Sequence, residues 1–166
     1  MSLEKRISKK VEDAGALYYR LVLIVGPPRS GKTTALRHLS DERSWPLLNV
    51  NLLLSQSLLE LTPQQRALNV NRFLDQIAKE YQGDVIILDN IEVLFNPELQ
   101  QDPLRLLQRL SRNRTVIAAW AGEQVGDSLT YASPSHPEFK KYDNPDAVVV
   151  PTLDAQGVAE QTEKKE

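Results

Sequence analysis

The 166-residue chain contains no cysteine. That excludes disulfides, thiolate metal sites and cysteine nucleophiles, and it fits a reducing, cytoplasmic setting. It has two histidines, His38 and His136, too few and too far apart to suggest a metal centre. No apolar run reaches the length of a membrane span, and no signal-peptide pattern opens the chain. Charge of one sign is not in excess either. Twenty Lys/Arg stand against 22 Asp/Glu, a net charge of −2, so there is no global nucleic-acid signature. The distribution is uneven: residues 1–50 carry nine basic side chains against five acidic ones, and part of that excess sits in the stretch described next.

What is present is concentrated in one stretch. Gly26-Pro27-Pro28-Arg29-Ser30-Gly31-Lys32-Thr33 matches the phosphate-loop pattern G-x-x-x-x-G-K-[ST] at every fixed position. Leu21-Val22-Leu23-Ile24-Val25 before it is an apolar run of strand length, and Thr34-Ala35-Leu36-Arg37-His38-Leu39 after it reads as a helix. Strand, glycine-bounded loop and helix form the setting the motif needs. Glycines let the backbone N–H groups turn inward on an anion, and the helix adds the positive end of its dipole. Gly26 to Thr34 is therefore the expected cofactor-binding segment for a nucleotide such as ATP. Lys32 is expected on the β- and γ-phosphates and Thr33 on Mg²⁺.

A second motif supports the first. Val85-Ile86-Ile87-Leu88 is continuously apolar, as in a parallel strand buried on both faces, and Asp89 emerges at its carboxyl end. Ligands bind at that edge of open α/β sheets. Alone, an apolar run ending in Asp is a weak signal. Paired with the loop upstream it reads as a Walker B strand, with Asp89 on the metal. The bland alternative is that Asp89 caps the next turn.

The rest of the chain fits around these two motifs. Residues 1–20 suggest a short basic helix with Leu3, Ile7, Val11 and Ala14 on one face. Lys5, Arg6, Lys9 and Lys10 either meet an acidic partner or are simply solvated. Ser40–Arg43 reads as a break, Pro46–Asn51 as a second strand, and Leu52–Leu59 as leucine-rich and irregular. Thr62-Pro63-Gln64-Gln65 predicts a helix start with a capping box, and Gly83 its end. Asp102-Pro103 opens a helix through Arg112. Thr115–Trp120 predicts a buried strand, residues 122–145 a glycine-, proline- and serine-containing region, and Asp146–Val150 a last strand. Residues 152–166 read as a flexible polar tail. The expected architecture is an α/β phosphate-loop NTPase, one domain over residues 1–151. It has a parallel five-stranded sheet, helices on both faces and no helical lid.

Hydrolysis is less plainly written than binding, because it needs a group that orients or deprotonates water. Asn90 follows Asp89 and can hold a water but cannot accept its proton. Glu92 is the nearby carboxylate, read either as a catalytic base or as surface charge. A polar residue is expected at the sheet edge after Trp120, with Glu123 and Gln124 the nearest. Arg109, Arg112 and Arg114 are expected far from their own nucleotide. They act either as arginines supplied to a neighbouring copy or as a solvated basic face.

Taken together, GPPRSGKT, Asn49-Val50-Asn51-Leu52, VIILDNIEVLF (85–95), TVIAAWAG (115–122) and LTYASPSHPEFKKY (129–142) resemble the BrxF family. These are the small P-loop proteins of type 3 BREX bacterial anti-phage defence systems. The resemblance implies a cytoplasmic protein working with other defence-system proteins, with phage DNA as the target of the system. It carries over Gly26, Gly31, Lys32, Thr33 and Asp89 as nucleotide and Mg²⁺ residues, and it supplies no catalytic base. The core is also similar to the αβ part of AAA+ ATPases, with the departure that no helical lid is expected; a homo-oligomer is the partner that goes with arginines supplied to a neighbouring copy. Three functions follow: an ATPase or ATP-operated switch, a non-hydrolysing nucleotide-binding scaffold, and a small-molecule kinase. The kinase reading is disfavoured because residues 122–145 contain no arginine for a lid.

Overall fold

The computed structural model describes residues 1–152. The polar tail expected at 152–166 lies outside the described residues except for Thr152. Helix α1 (Leu3–Ala14) is capped by Ser2, whose hydroxyl accepts from the Lys5 N–H, and it buries Leu3, Ile7 and Ala14. Strand β1 (Leu21–Gly26) runs into the phosphate loop, and α2 (Lys32–Arg43) leaves it. The expected break at Ser40–Arg43 does not occur: those polar residues form the last turn of α2, which stops at Ser44 in the left-handed conformation. Strand β2 is only Leu47–Asn49, and the leucine-rich stretch expected to be irregular is helix α3 (Val50–Leu58). Asn49 makes that switch, because its side-chain oxygen accepts from the Leu52 N–H and starts the helix.

Helix α4 (Pro63–Lys79) has the predicted capping box, with Thr62 and Gln65 each accepting from the other's backbone. It ends at Glu80 rather than Gly83; Gly83 turns the chain with φ 112° just before β3 (Val85–Asp89). Two 3₁₀ turns (Ile91–Phe95 and Pro97–Leu99) lead to α5 (Pro103–Leu110), capped by Asp102. Arg112 therefore lies beyond the helix instead of on its face. Strand β4 runs from Thr115 to Val125, five residues past the expected end at Trp120. The region 122–145 contains β5 (Ser128–Tyr131) and β6 (Lys140–Asp143), and the last strand is β7 (Val148–Pro151).

The parallel strands lie in the order β2-β3-β4-β1-β7, so two strands separate β1 from its sequence neighbour β2. The five parallel strands are those expected, and an antiparallel extension brings the sheet to seven: β5 pairs with the overhang of β4, and β6 with β5. Strand alternation divides the core into two layers. Leu21, Leu23, Val25, Ile86, Leu88, Val116, Ala118 and Trp120 pack towards α3, α4 and α5. Val22, Ile24, Ile87, Ile117 and Ala119 pack towards α1 and α2. Helices thus cover both faces, as the unbroken apolar strands require.

Candidate phosphate-loop site

Parallel pairing brings the carboxyl ends of β1, β3 and β4 to one edge, and both motifs meet there. The register sets Gly26 opposite Ala121 and Leu88 opposite Ala118, so the loop and Asp89 share that edge across β4. The contact is direct: the Thr33 hydroxyl donates to Asp89 Oδ2 at 2.9 Å. Asp89 is 8% exposed, and its other oxygen accepts the Asn90 N–H at 2.9 Å. The two residues expected to hold a metal therefore come together from positions 56 apart in sequence.

Lys32 is folded back onto its own loop. Its ammonium donates to the Gly26 carbonyl at 2.8 Å, to the Pro27 carbonyl at 2.7 Å and to Ser30 Oγ at 3.4 Å. Burial pushes the Lys32 pKa down, while Glu92 and then Asp89 pull it back up. Gly26 admits no side chain, since a Cβ there would sit 2.3 Å from Thr152 Oγ1 and 2.6 Å from Ser30 Oγ. Gly31, with φ 93°, starts α2 in a conformation that glycine adopts freely. Pro27, Pro28 and Arg29 are exposed along the loop, and Thr34 lies in the first turn of α2.

Asn90 is left-handed, with φ 54°. Its carbonyl accepts from the Asn51 N–H at 3.0 Å, which ties the turn after β3 to the start of α3. Its side chain is exposed. Glu92 follows in the first 3₁₀ turn and reaches the same electrostatic neighbourhood. Its pKa is raised by loss of hydration and then by Asp89, with Lys32 acting in the opposite sense. The residue keeps solvent contact, so solvent screens that push. Glu138, on the loop between β5 and β6, adds to it. Sequence reasoning missed Glu138, because nothing in its neighbourhood marks it; only pairing of β5 with β4 brings its loop over the site.

Three expectations need relocating. The polar residue sought after Trp120 does not stand at a strand end, because β4 continues. Trp120 is fully buried, and its indole N–H donates to the Thr130 carbonyl at 2.9 Å. It packs edge-on against Phe95, whose ring stacks on Tyr131 with centroids 3.5 Å apart. Glu123 and Gln124 instead line an open groove of about 1080 Å³ beside Pro27 and Pro28. The arginines lie at the opposite edge of the sheet, where β4 begins. Arg114 donates to the carbonyls of Ala78, Tyr81 and Gly83, closing the end of α4. Arg112 stacks on the Tyr18 ring and donates to its hydroxyl. Arg109 is exposed on α5.

The model for AAA, the ATPase family associated with various cellular activities, matches residues 22–125. The chain belongs to the AAA family. Within that span lie β1, the phosphate loop, β3 with Asp89, and β4, so the family match covers the whole site edge described above. As an AAA domain it is an α/β P-loop ATPase-family fold. Among solved structures it is similar to C. elegans PCH-2, with 16% identity and a TM-score of 0.42. That alignment covers 89% of this chain and 41% of PCH-2, so the chain spans less than half of that protein's length. No curated protein matches the chain.

Proposed function

We propose that residues 1–151 form one nucleotide-binding unit that takes ATP with Mg²⁺ and acts as an ATPase or an ATP-operated switch. The observation that carries this reading is the Thr33–Asp89 contact, a hydroxyl and a carboxylate facing each other 2.9 Å apart beside the phosphate loop. Both are hard oxygen donors. Mg²⁺ favours one or two carboxylates plus phosphate oxygens and waters, so the donor set fits. When bound, the ion would neutralise charge that develops on the phosphates. Lys32 would exchange its loop carbonyls for phosphate oxygens, and the loop N–H groups with Thr34 would fix their position. In this reading Glu92 would accept a proton from water and Asn90 would orient that water; the Asp89 and Lys32 charges that act on Glu92 support the first role.

The resemblance to BrxF supports a setting in a cytoplasmic anti-phage defence complex, with other defence-system proteins as partners. Arg109 is the exposed arginine left to serve a neighbouring copy; Arg112 and Arg114 are already engaged within the chain. Among the described residues, no helix is long and apolar enough to cross a membrane. DNA contact is not indicated by the charge. One observation favours the alternative of a non-hydrolysing scaffold: the position after Asp89 is Asn90, held left-handed and without a carboxylate.

The test is nucleotide binding and phosphate release by the wild type and Lys32→Ala, alone and with DNA or defence-system partners. Binding and release by the wild type, both lost in Lys32→Ala, are expected. Binding without release in every condition would leave the scaffold. Absence of binding would overturn the reading.

A further inference from the structure

We propose that Tyr131 is a positioning residue for hydrolysis, its hydroxyl holding the Glu92 carboxylate; the proposal rests on the ATPase reading above. Strand pairing puts Tyr131 at the site edge. Ala121 of β4 stands opposite Gly26, the first glycine of the phosphate loop, and the next residue, Gly122, stands opposite Tyr131 of β5. Ala121 and Gly122 bring no polar side chain to this edge; the neighbouring strand does. The turn after β3 supplies the second observation. Glu92 and Phe95 lie three residues apart in the 3₁₀ segment Ile91–Phe95. Residues at that spacing eclipse in a 3₁₀ helix, so the two side chains leave the same face. Phe95 stacks on the Tyr131 ring, with centroids 3.5 Å apart and an angle of 8° between the planes. The stack therefore carries the phenol to the face from which Glu92 projects. Trp120 meets the same ring edge-on, with centroids 6.0 Å apart, and restrains its rotation.

Electrostatics agree with this placement. Burial raises the Tyr131 pKa, and Glu92 and then Glu138 raise it further, so both carboxylates lie within electrostatic reach of the phenol. The hydroxyl therefore stays protonated and stays a donor. Tyr131 is 5% exposed, and that small opening includes its hydroxyl, which makes no hydrogen bond among the described residues. The other phenol of the aromatic cluster, Tyr142, donates to Asp102 at 2.8 Å and is committed there. Only the Tyr131 donor is left for Glu92, and catalytic hydrogen bonds commonly tighten once substrate is bound. In hydrolysis the water oxygen bonds the terminal phosphorus, the bond to the ADP oxygen breaks, and Glu92 receives the water proton. For that, Glu92 must be ionised and aimed. Loss of hydration, Asp89 and Glu138 oppose its ionisation, while its own backbone N–H and Lys32 favour it. With ATP bound, Lys32 is drawn to the phosphates and the Asp89 charge is taken up by Mg²⁺, so loss of hydration and Glu138 remain against the charge. A phenol donating to the carboxylate stabilises the charged form and fixes its direction.

The experiment measures ATP affinity by calorimetry and phosphate release in a single turnover, on the full chain in excess over ATP with Mg²⁺. The proteins are the wild type, Tyr131→Phe, Glu92→Gln, their double variant and Tyr142→Phe. Tyr131→Phe keeps the ring and its stack and removes only the hydroxyl. It should slow release about tenfold, the size of one hydrogen bond to a charged group, with ATP affinity within about twofold. In the Glu92→Gln background it should slow release by less than about twofold, because the hydroxyl acts through Glu92. Tyr142→Phe removes a hydroxyl from the same aromatic cluster and should leave the release rate unchanged. An unchanged release rate in Tyr131→Phe, a loss confined to ATP affinity, an equal loss with Glu92 and with Gln at position 92, or the same loss in Tyr142→Phe overturns the proposal and leaves the ATPase reading standing. A wild type that binds ATP and releases no phosphate overturns this proposal together with hydrolysis. One that binds no ATP overturns the parent reading as well.

Discussion

Gly122 is where the antiparallel ribbon of β5 and β6 joins the parallel sheet through β4, and replacing it with alanine tests how tightly the two are joined. A Cβ there would meet the Thr130 carbonyl oxygen at 1.8 Å, its carbon at 2.8 Å and Trp120 Nε1 at 3.0 Å. The obstructing atoms are mostly backbone, so no side-chain rotation relieves the overlap. Strand β5 must move away. That breaks the Trp120–Thr130 hydrogen bond and the Ala132–Ala121 backbone bond, each contributing about 0.5–1.5 kcal/mol. With the repacking of Phe95, Tyr131 and Trp120, the loss should be about 2–4 kcal/mol. Gly126→Ala is the control. It has φ 59° with nothing within 4 Å of an added Cβ, so it should cost only the conformational strain of about 1–2 kcal/mol. Native-state hydrogen exchange reads the difference by segment. Gly122→Ala should lose protection at the amides of β5 while those of β1 stay protected. Unchanged β5 protection and an unchanged urea midpoint in Gly122→Ala would refute the reasoning.

Three further outcomes follow from the site and its supports. Thr33→Val should abolish the Mg²⁺ dependence of ATP binding and spare binding in chelator, measured by titration in each condition; retained Mg²⁺ dependence would argue against the metal role. Glu92 has a raised pKa, so folding favours its protonated form, and its contribution to stability is lost as pH rises from 4.5 through the raised value. Glu92→Gln should therefore gain urea resistance over the wild type at neutral pH and not at pH 4, and it should lower the phosphate-release rate at every pH while sparing ATP binding. Arg114→Met should cost about 2 kcal/mol through the carbonyls left without a donor, Ala78 in the last turn of α4 and Tyr81 and Gly83 in the turn beyond it, read by urea unfolding, without changing nucleotide affinity. A change in affinity would reopen its role at the site.

The parts of the fold legible in sequence were those governed by local chemistry. Gly26–Thr33 and Asp89 each carry their signal within a few residues, and Thr62, Pro63 and Gln65 spell out a helix start. Asn49 was misleading because a side chain that caps a helix also suits the end of a strand; only the Leu52 N–H decides between them. Ser40–Arg43 looked like a break because polar residues fill both turns and the exposed last turn of a helix. The overhang of β4 was hidden by Gly122, Glu123 and Gln124, which individually disfavour a strand. Glycine is needed there because another backbone passes against it, and that neighbour is visible only after the chain has paired. Glu138 was invisible for the same reason.

Strand β4 is bonded to β1 and β3 along its first half and to β5 along its second. It is therefore a lever with its fulcrum in the middle of the sheet. Trp120 sits at that fulcrum, clamped on the ribbon side through Thr130 and on the turn after β3 through Phe95. A partner that pulled on β5 or β6 would not bend a free hairpin. It would load the strand paired, residue for residue, with Leu21–Gly26, and the force would arrive at the first glycine of the phosphate loop.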